Sequence, residues 1–159
     1  MSDHSARCVT SPIRPANTRL LVQAAVAQIL MILIHDLDHI RQAYGWCYTI
    51  PVSVWLVNVS VYMPVTAALV AAVRQHRLAP TLLIVAGLLT ASSFARVHLW
   101  RPFLPVWGIW NKSYLALGVD AASWLILVAT VAVGVGAALV GAFVLGRQST
   151  QRPRITMSA

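Results

Sequence analysis

Residues 20–42 read LLVQAAVAQILMILIHDLDHIRQ. An almost unbroken apolar run from Leu20 to Ile34 leads into His35-Asp36-Leu37-Asp38-His39, and Ile40-Arg41-Gln42 closes the stretch. A helix needs about 20 predominantly apolar residues to cross a bilayer. The run therefore predicts a membrane span over 20–40 that carries four ionisable side chains in its last turns. Such groups are expensive in lipid and point to function by default. Ala25-Val26-Ala27 lies inside the apolar run and no small-residue cleavage site follows it, so the stretch reads as an uncleaved span, not a signal peptide.

The rest of the chain repeats the pattern. Of 159 residues, 58% are hydrophobic and only 10% charged, against roughly 25% charged in soluble domains. Mean hydropathy is +0.72. After an aromatic link at 41–49, Pro51 suits the first turn of a second helix over about 51–73, with Pro64 predicted to kink it. Arg74-Gln75-His76-Arg77 is a polar turn, and Pro80 opens a third span over about 80–99. Residues 100–115 hold Pro102, Pro105, Trp107, Gly108, Trp110 and Lys112. This segment is too broken for a span and is predicted to lie at the bilayer–water interface, where Trp and Tyr concentrate. The fourth span is expected over about 116–146. Its pairs Gly134/Ala138 and Ala137/Gly141 would allow close helix packing, within one chain or between copies.

The expected architecture is all-α and integral to the membrane: one domain at 19–147, four transmembrane helices in an up-down bundle, and an aromatic interfacial segment between the third and fourth. Residues 1–18 and 148–159 are expected to be disordered tails, with Asn17 and Thr18 as candidate caps of the first helix. No Gly-rich phosphate loop, GxSxG or HExxH pattern occurs.

The net charge of +8 does not indicate nucleic acid, because the basic residues flank apolar runs. With four spans, Arg7, Arg14, Arg19, Arg74, Arg77, Arg147, Arg152 and Arg154 share one side, while Arg41, Arg96, Arg101 and Lys112 share the other. The positive-inside rule then predicts that both termini are cytoplasmic. The preference for Arg over Lys suggests a GC-rich bacterial genome, hence a bacterial plasma membrane. Cys8 and Cys47 fall on opposite sides and cannot pair within a chain, although Cys47 could bridge two copies.

This topology gathers His35, Asp36, Asp38, His39, His98 and Asp120 at the outer end of the bundle. On a helix, His35, Asp38 and His39 share a face, extended by Gln28 and Gln42. Two histidines four apart with a carboxylate beside them can ligate a transition metal. The candidate ligand set is His35, Asp38, His39, His98 and Asp120, for zinc, copper, iron or manganese, with a carboxylate alternatively orienting a ring from behind. With the span ending near residue 40, His35 would lie roughly 7 Å below its end. The expected function is a metal site serving a membrane-embedded enzyme that acts on lipid or a small molecule. The competing reading is an accessory subunit of a homo-oligomer or larger membrane complex, in which the same groups form an ion-pair clamp. Metal-free acid–base chemistry is a third use. Asp36 is expected to pair with Arg41 or Arg96, leaving Asp38 for function; Asn58 and Tyr62 could face the cluster from the second span.

Overall fold

The computed structural model describes residues 15–100 and 105–150. They form five α-helices: α1 (Pro15–Gly45), α2 (Val52–Val73), α3 (Ala79–Leu99), the single turn α4 (Tyr114–Leu117) and α5 (Ala121–Ser149), with a 3-10 segment at Pro105–Asn111. No strand occurs among the described residues. Helices α1, α2, α3 and α5 are each long and apolar enough to cross a membrane. The expected all-α four-helix membrane bundle is what the chain forms. Residues 1–14, 101–104 and 151–159, and with them Cys8, Arg101 and Pro102, lie outside the described residues.

Apolar residues wrap all round these helices because lipid is the outer solvent. Leu30, Leu37, Leu56, Met63, Leu125 and Leu139 are exposed, as expected where there is no water to avoid. What distinguishes inside from outside is therefore polarity and side-chain size. Gln28, His35, Asp38, His39 and Gln42 of α1 are all buried, on one stripe.

Around the bundle α1 packs on α2, α2 on α3, α3 on α5 and α5 on α1, while α1 and α3 touch briefly across the middle. The α3–α5 interface is the most extensive, and small residues make it so. A Cβ added to Gly87 would stand 2.7 Å from the backbone nitrogen of Ala138, and one on Gly141 would stand 2.6 Å from the Pro80 carbonyl oxygen. Gly134 faces Gly87 and Ala91. The small-residue pairs of the fourth span thus pack inside the chain.

Three boundaries differ from expectation. α1 is already helical at Pro15, so Asn17 lies within the helix, buried, and does not cap it. α1 also continues to Gly45, beyond the expected end near residue 40, which puts His35 ten residues, or about 15 Å, from the helix end. The fourth span does not begin at 116. Gly118 takes a left-handed backbone (φ 63°) that ends α4, and Asp120 restarts the chain as the N-cap of α5, its carboxylate accepting from the Ser123 amide. Pro64 lies inside α2 without ending it.

The glycines at the α3–α5 contact give a direct test. Gly87→Leu or Gly141→Leu forces side-chain atoms into backbone and should cost at least about 1–3 kcal/mol, read as a lower thermal midpoint in detergent. Gly136→Ala, where a Cβ meets nothing within 4 Å, should be neutral or slightly stabilising.

Candidate metal centre

The site begins with the register of α1 against α3. The Gln28 side-chain amide donates to the Ala86 carbonyl (3.0 Å) and to the Thr90 hydroxyl (2.7 Å). Thr90 thus ties α3 to α1. Two turns further along α1 from Gln28 comes His35, and two turns along α3 from Thr90 comes His98. Their Nε2 atoms are 3.1 Å apart.

Hydrogen bonding orients the rings. His98 Nδ1 lies 2.8 Å from the Phe94 carbonyl oxygen. A carbonyl only accepts, so Nδ1 carries the proton, and in neutral imidazole Nε2 keeps its lone pair. That lone pair faces His35 Nε2. A backbone carbonyl behind one ring nitrogen, with the other nitrogen aimed at a shared point, is how metal-ligating histidines are held. His39 joins from the next turn of α1, its ring 4.8 Å from that of His35 and 5.4 Å from that of His98. One ring nitrogen from each of the three histidines lies within 4.8 Å of the others.

Aromatic rings fix the cluster from outside. Phe94 meets His35 edge-on at 4.5 Å between centroids, Tyr114 meets His98 at 4.6 Å, and Trp110 meets His39 at 5.5 Å. Trp110 is buried, and its indole N–H donates to the Thr49 carbonyl. The aromatic segment therefore supplies a wall of the site; the Trp107 side chain lies outside the described residues.

The cluster is short of partners. His35 Nδ1 and His39 Nδ1 are buried with no hydrogen bond, a state that typically costs about 1–3 kcal/mol per group. Tetrahedral zinc, with bonds of about 2.0–2.1 Å to nitrogen, sets ligand nitrogens about 3.3 Å apart. The His35–His98 pair is already near that spacing, and the third ring has to turn inward. Such a set could hold a metal ion.

The carboxylates serve a different structure. Arg41 Nε donates to Asp38 (2.8 Å), and Nη1 and Nη2 donate to the two oxygens of Asp120 (2.7 and 2.9 Å). The second Asp38 oxygen accepts from Gln42 (2.7 Å). Ser123 accepts from both Arg41 and Gln42 at 2.8 Å, and Gln42 also reaches the Tyr114 hydroxyl. This network ties α1 to the N-terminus of α5. Of the five expected ligands, the structure gathers His35, His39 and His98 and places Asp38 and Asp120 on Arg41 instead, because the guanidinium forks between the two acids. Arg41 is thereby committed. Asp36, whose expected partners were Arg41 and Arg96, takes a hydrogen bond of 2.7 Å from the Tyr62 hydroxyl of α2.

Tyr114, Ser123 and Phe94 were not anticipated at the site. Only Ser123 left a trace in the sequence, three residues after Asp120, the spacing of a helix cap. Tyr114 and Phe94 are brought in by tertiary packing. Burial pushes the Tyr114 phenol above its usual range.

Between α2 and α3, beneath Trp110 and Tyr114, lies an open pocket. His39 and His98 line it; Asn58 and Lys112 are among its few polar walls. Asn58 thus shares the pocket with the histidines, while Tyr62 is engaged with Asp36. No protein-family model, curated protein or solved structure matches this chain.

The exposed Asp120 carboxyl is held well below its ordinary range, first by Arg41 and then by the Ser123 amide. A carboxyl with a depressed folded value stabilises the fold above its unfolded value of 3.8, and that contribution fades as pH falls further. Asp120→Asn should therefore lower the thermal midpoint at pH 7 and at pH 5, with the gap to wild type narrowing below about pH 4. An unchanged gap at pH 3 would assign the effect to something other than charge.

Proposed function

We propose that His35, His39 and His98 form a transition-metal centre within the membrane domain, at the end of the bundle that faces away from the cytoplasm. The observation that carries this reading is the convergence of three buried imidazoles, one of them proton-fixed by the Phe94 carbonyl. Three neutral nitrogen ligands suit zinc, copper or iron better than manganese, which prefers oxygen. Three protein ligands leave a fourth position open, the pattern of catalytic rather than structural zinc. The pocket lined by His39 and His98 gives a small molecule or lipid access to that position. A metal bound there would act as a Lewis acid or lower the pKa of a bound water. The chain is read as a membrane-embedded metalloenzyme of the plasma membrane with both termini cytoplasmic.

The clamp keeps its place beside this reading. The Arg41 network joins α1 to α5 and needs no metal. The two roles divide the polar cluster between them.

Elemental mass spectrometry on the detergent-purified protein, loaded in turn with zinc, copper and iron, tests the proposal. About one ion per chain is expected. His35→Ala and His98→Ala should each lose more affinity than the ~10–100-fold typical of outer-shell changes. Arg41→Ala should lower thermal stability while keeping the ion. Sub-stoichiometric metal under all three loadings, or equal binding by the histidine variants, would remove the metal centre. A reporter fused after Ala159 should read cytoplasmic; an external signal would invert the placement.

A further inference from the structure

The pocket beside the histidines has a chemistry of its own. Its α2 wall is Val54, Val57 and Val61, and Val97 and Phe94 face them from α3. Val57 and Ser93 are exposed and lie within the membrane spans, so the pocket opens sideways between α2 and α3 at bilayer depth. Lys112 is also exposed and belongs to the segment between the third and fourth spans. The opening therefore runs from the chain region of the bilayer to its polar boundary. Among the described residues no acidic side chain lines the pocket, and Lys112 is its one charged wall. Asn58 Nδ2 is a buried donor with no partner. Lys112 and Asn58 both offer hydrogens and ask for an oxygen acceptor, and the Lys112 charge asks for an anion.

We infer that this pocket binds a single-chain amphiphile with a carboxylate head, a long-chain fatty acid, entering from the bilayer between α2 and α3. The apolar walls take the chain. Lys112 pairs with the carboxylate at the interface, as a lone cation matches a single negative charge, and Asn58 supplies the second hydrogen bond. The inference names the substrate class for the proposed centre, and rests on that reading only for what the ligand meets beside His39 and His98.

The experiment uses the full chain in phospholipid vesicles with a palmitate analogue bearing a diazirine on its chain. After illumination, peptide mass spectrometry should place the label on residues 54–61 and 93–97. Unlabelled palmitate should compete, whereas hexadecanol should compete weakly. Lys112→Gln should weaken labelling about fivefold, near the upper value of an exposed ion pair. Ser93→Trp, at the mouth, should block it, with circular dichroism and thermal midpoint reporting that the variant is folded. His35 does not line the pocket, so His35→Ala separates the two proposals: labelling that survives there supports the fatty-acid site whatever the metal content proves to be. Label spread over all lipid-facing helices, equal competition by the alcohol, or indifference to Lys112→Gln would overturn it. Stronger competition by a lysophosphatidate of the same chain length would overturn the carboxylate assignment.

Discussion

A polar atom inside a bilayer must find its partner within the protein, because lipid offers none. α1 carries a longitudinal stripe of such atoms, from Gln28 through His35, Asp38 and His39 to Gln42, every one of them buried. The stripe cannot face lipid, so α1 turns it towards the bundle axis, and the other helices are arranged to receive it. α3 answers with the Ala86 carbonyl, Thr90 and His98. α5 answers with Asp120 and Ser123. α2 takes Asp36, which projects from the flank of the stripe, through Tyr62. Each polar contact is also a contact between two helices, so satisfying α1 and assembling the bundle are the same event.

How close the partners come is settled by bare backbone. With Gly87, Gly134 and Gly141 at the interface, α3 and α5 approach as far as their main chains allow, in the absence of a hydrophobic drive between helices. That tight pair presents His98 and Ser123 to α1 together. A wider α3–α5 spacing would separate the histidine cluster from the arginine network and leave α1 with polar groups on one side only.

The division of the polar cluster follows from charge. Arg41 is a fixed cation with a planar fork, so it collects the two nearest acids, Asp38 and Asp120, and holds them with good geometry. The histidines are left with one another. Three neutral imidazoles carry three N–H donors and three lone pairs; the Phe94 carbonyl takes one donor, which leaves one lone pair in excess, and the Nδ1 atoms of His35 and His39 have no partner. With the carboxylates occupied elsewhere, the three rings form a set that could hold a cation.

Composition and periodicity by themselves determined the four spans, the up-down order and the end of the bundle at which His35, His39 and His98 gather. These follow from local rules: apolar length, helical repeat and the strictness of short connections. They also determined that Gln28, His35, Asp38, His39 and Gln42 share one face. Only the tertiary structure decided which partner each polar group takes. Asp38 and Asp120 are as good ligands as histidine by residue type, and the geometry of Arg41, reached across residues 41 and 120, removes them. Gly118 and Asp120 moved the start of the last helix because backbone conformation and capping outweigh hydropathy at a helix end. Tyr114, Phe94 and Trp110 reached the site through packing between elements far apart in the chain. A one-dimensional pattern records what a residue can do, whereas the choice among competing partners depends on distances that exist only once the helices have met.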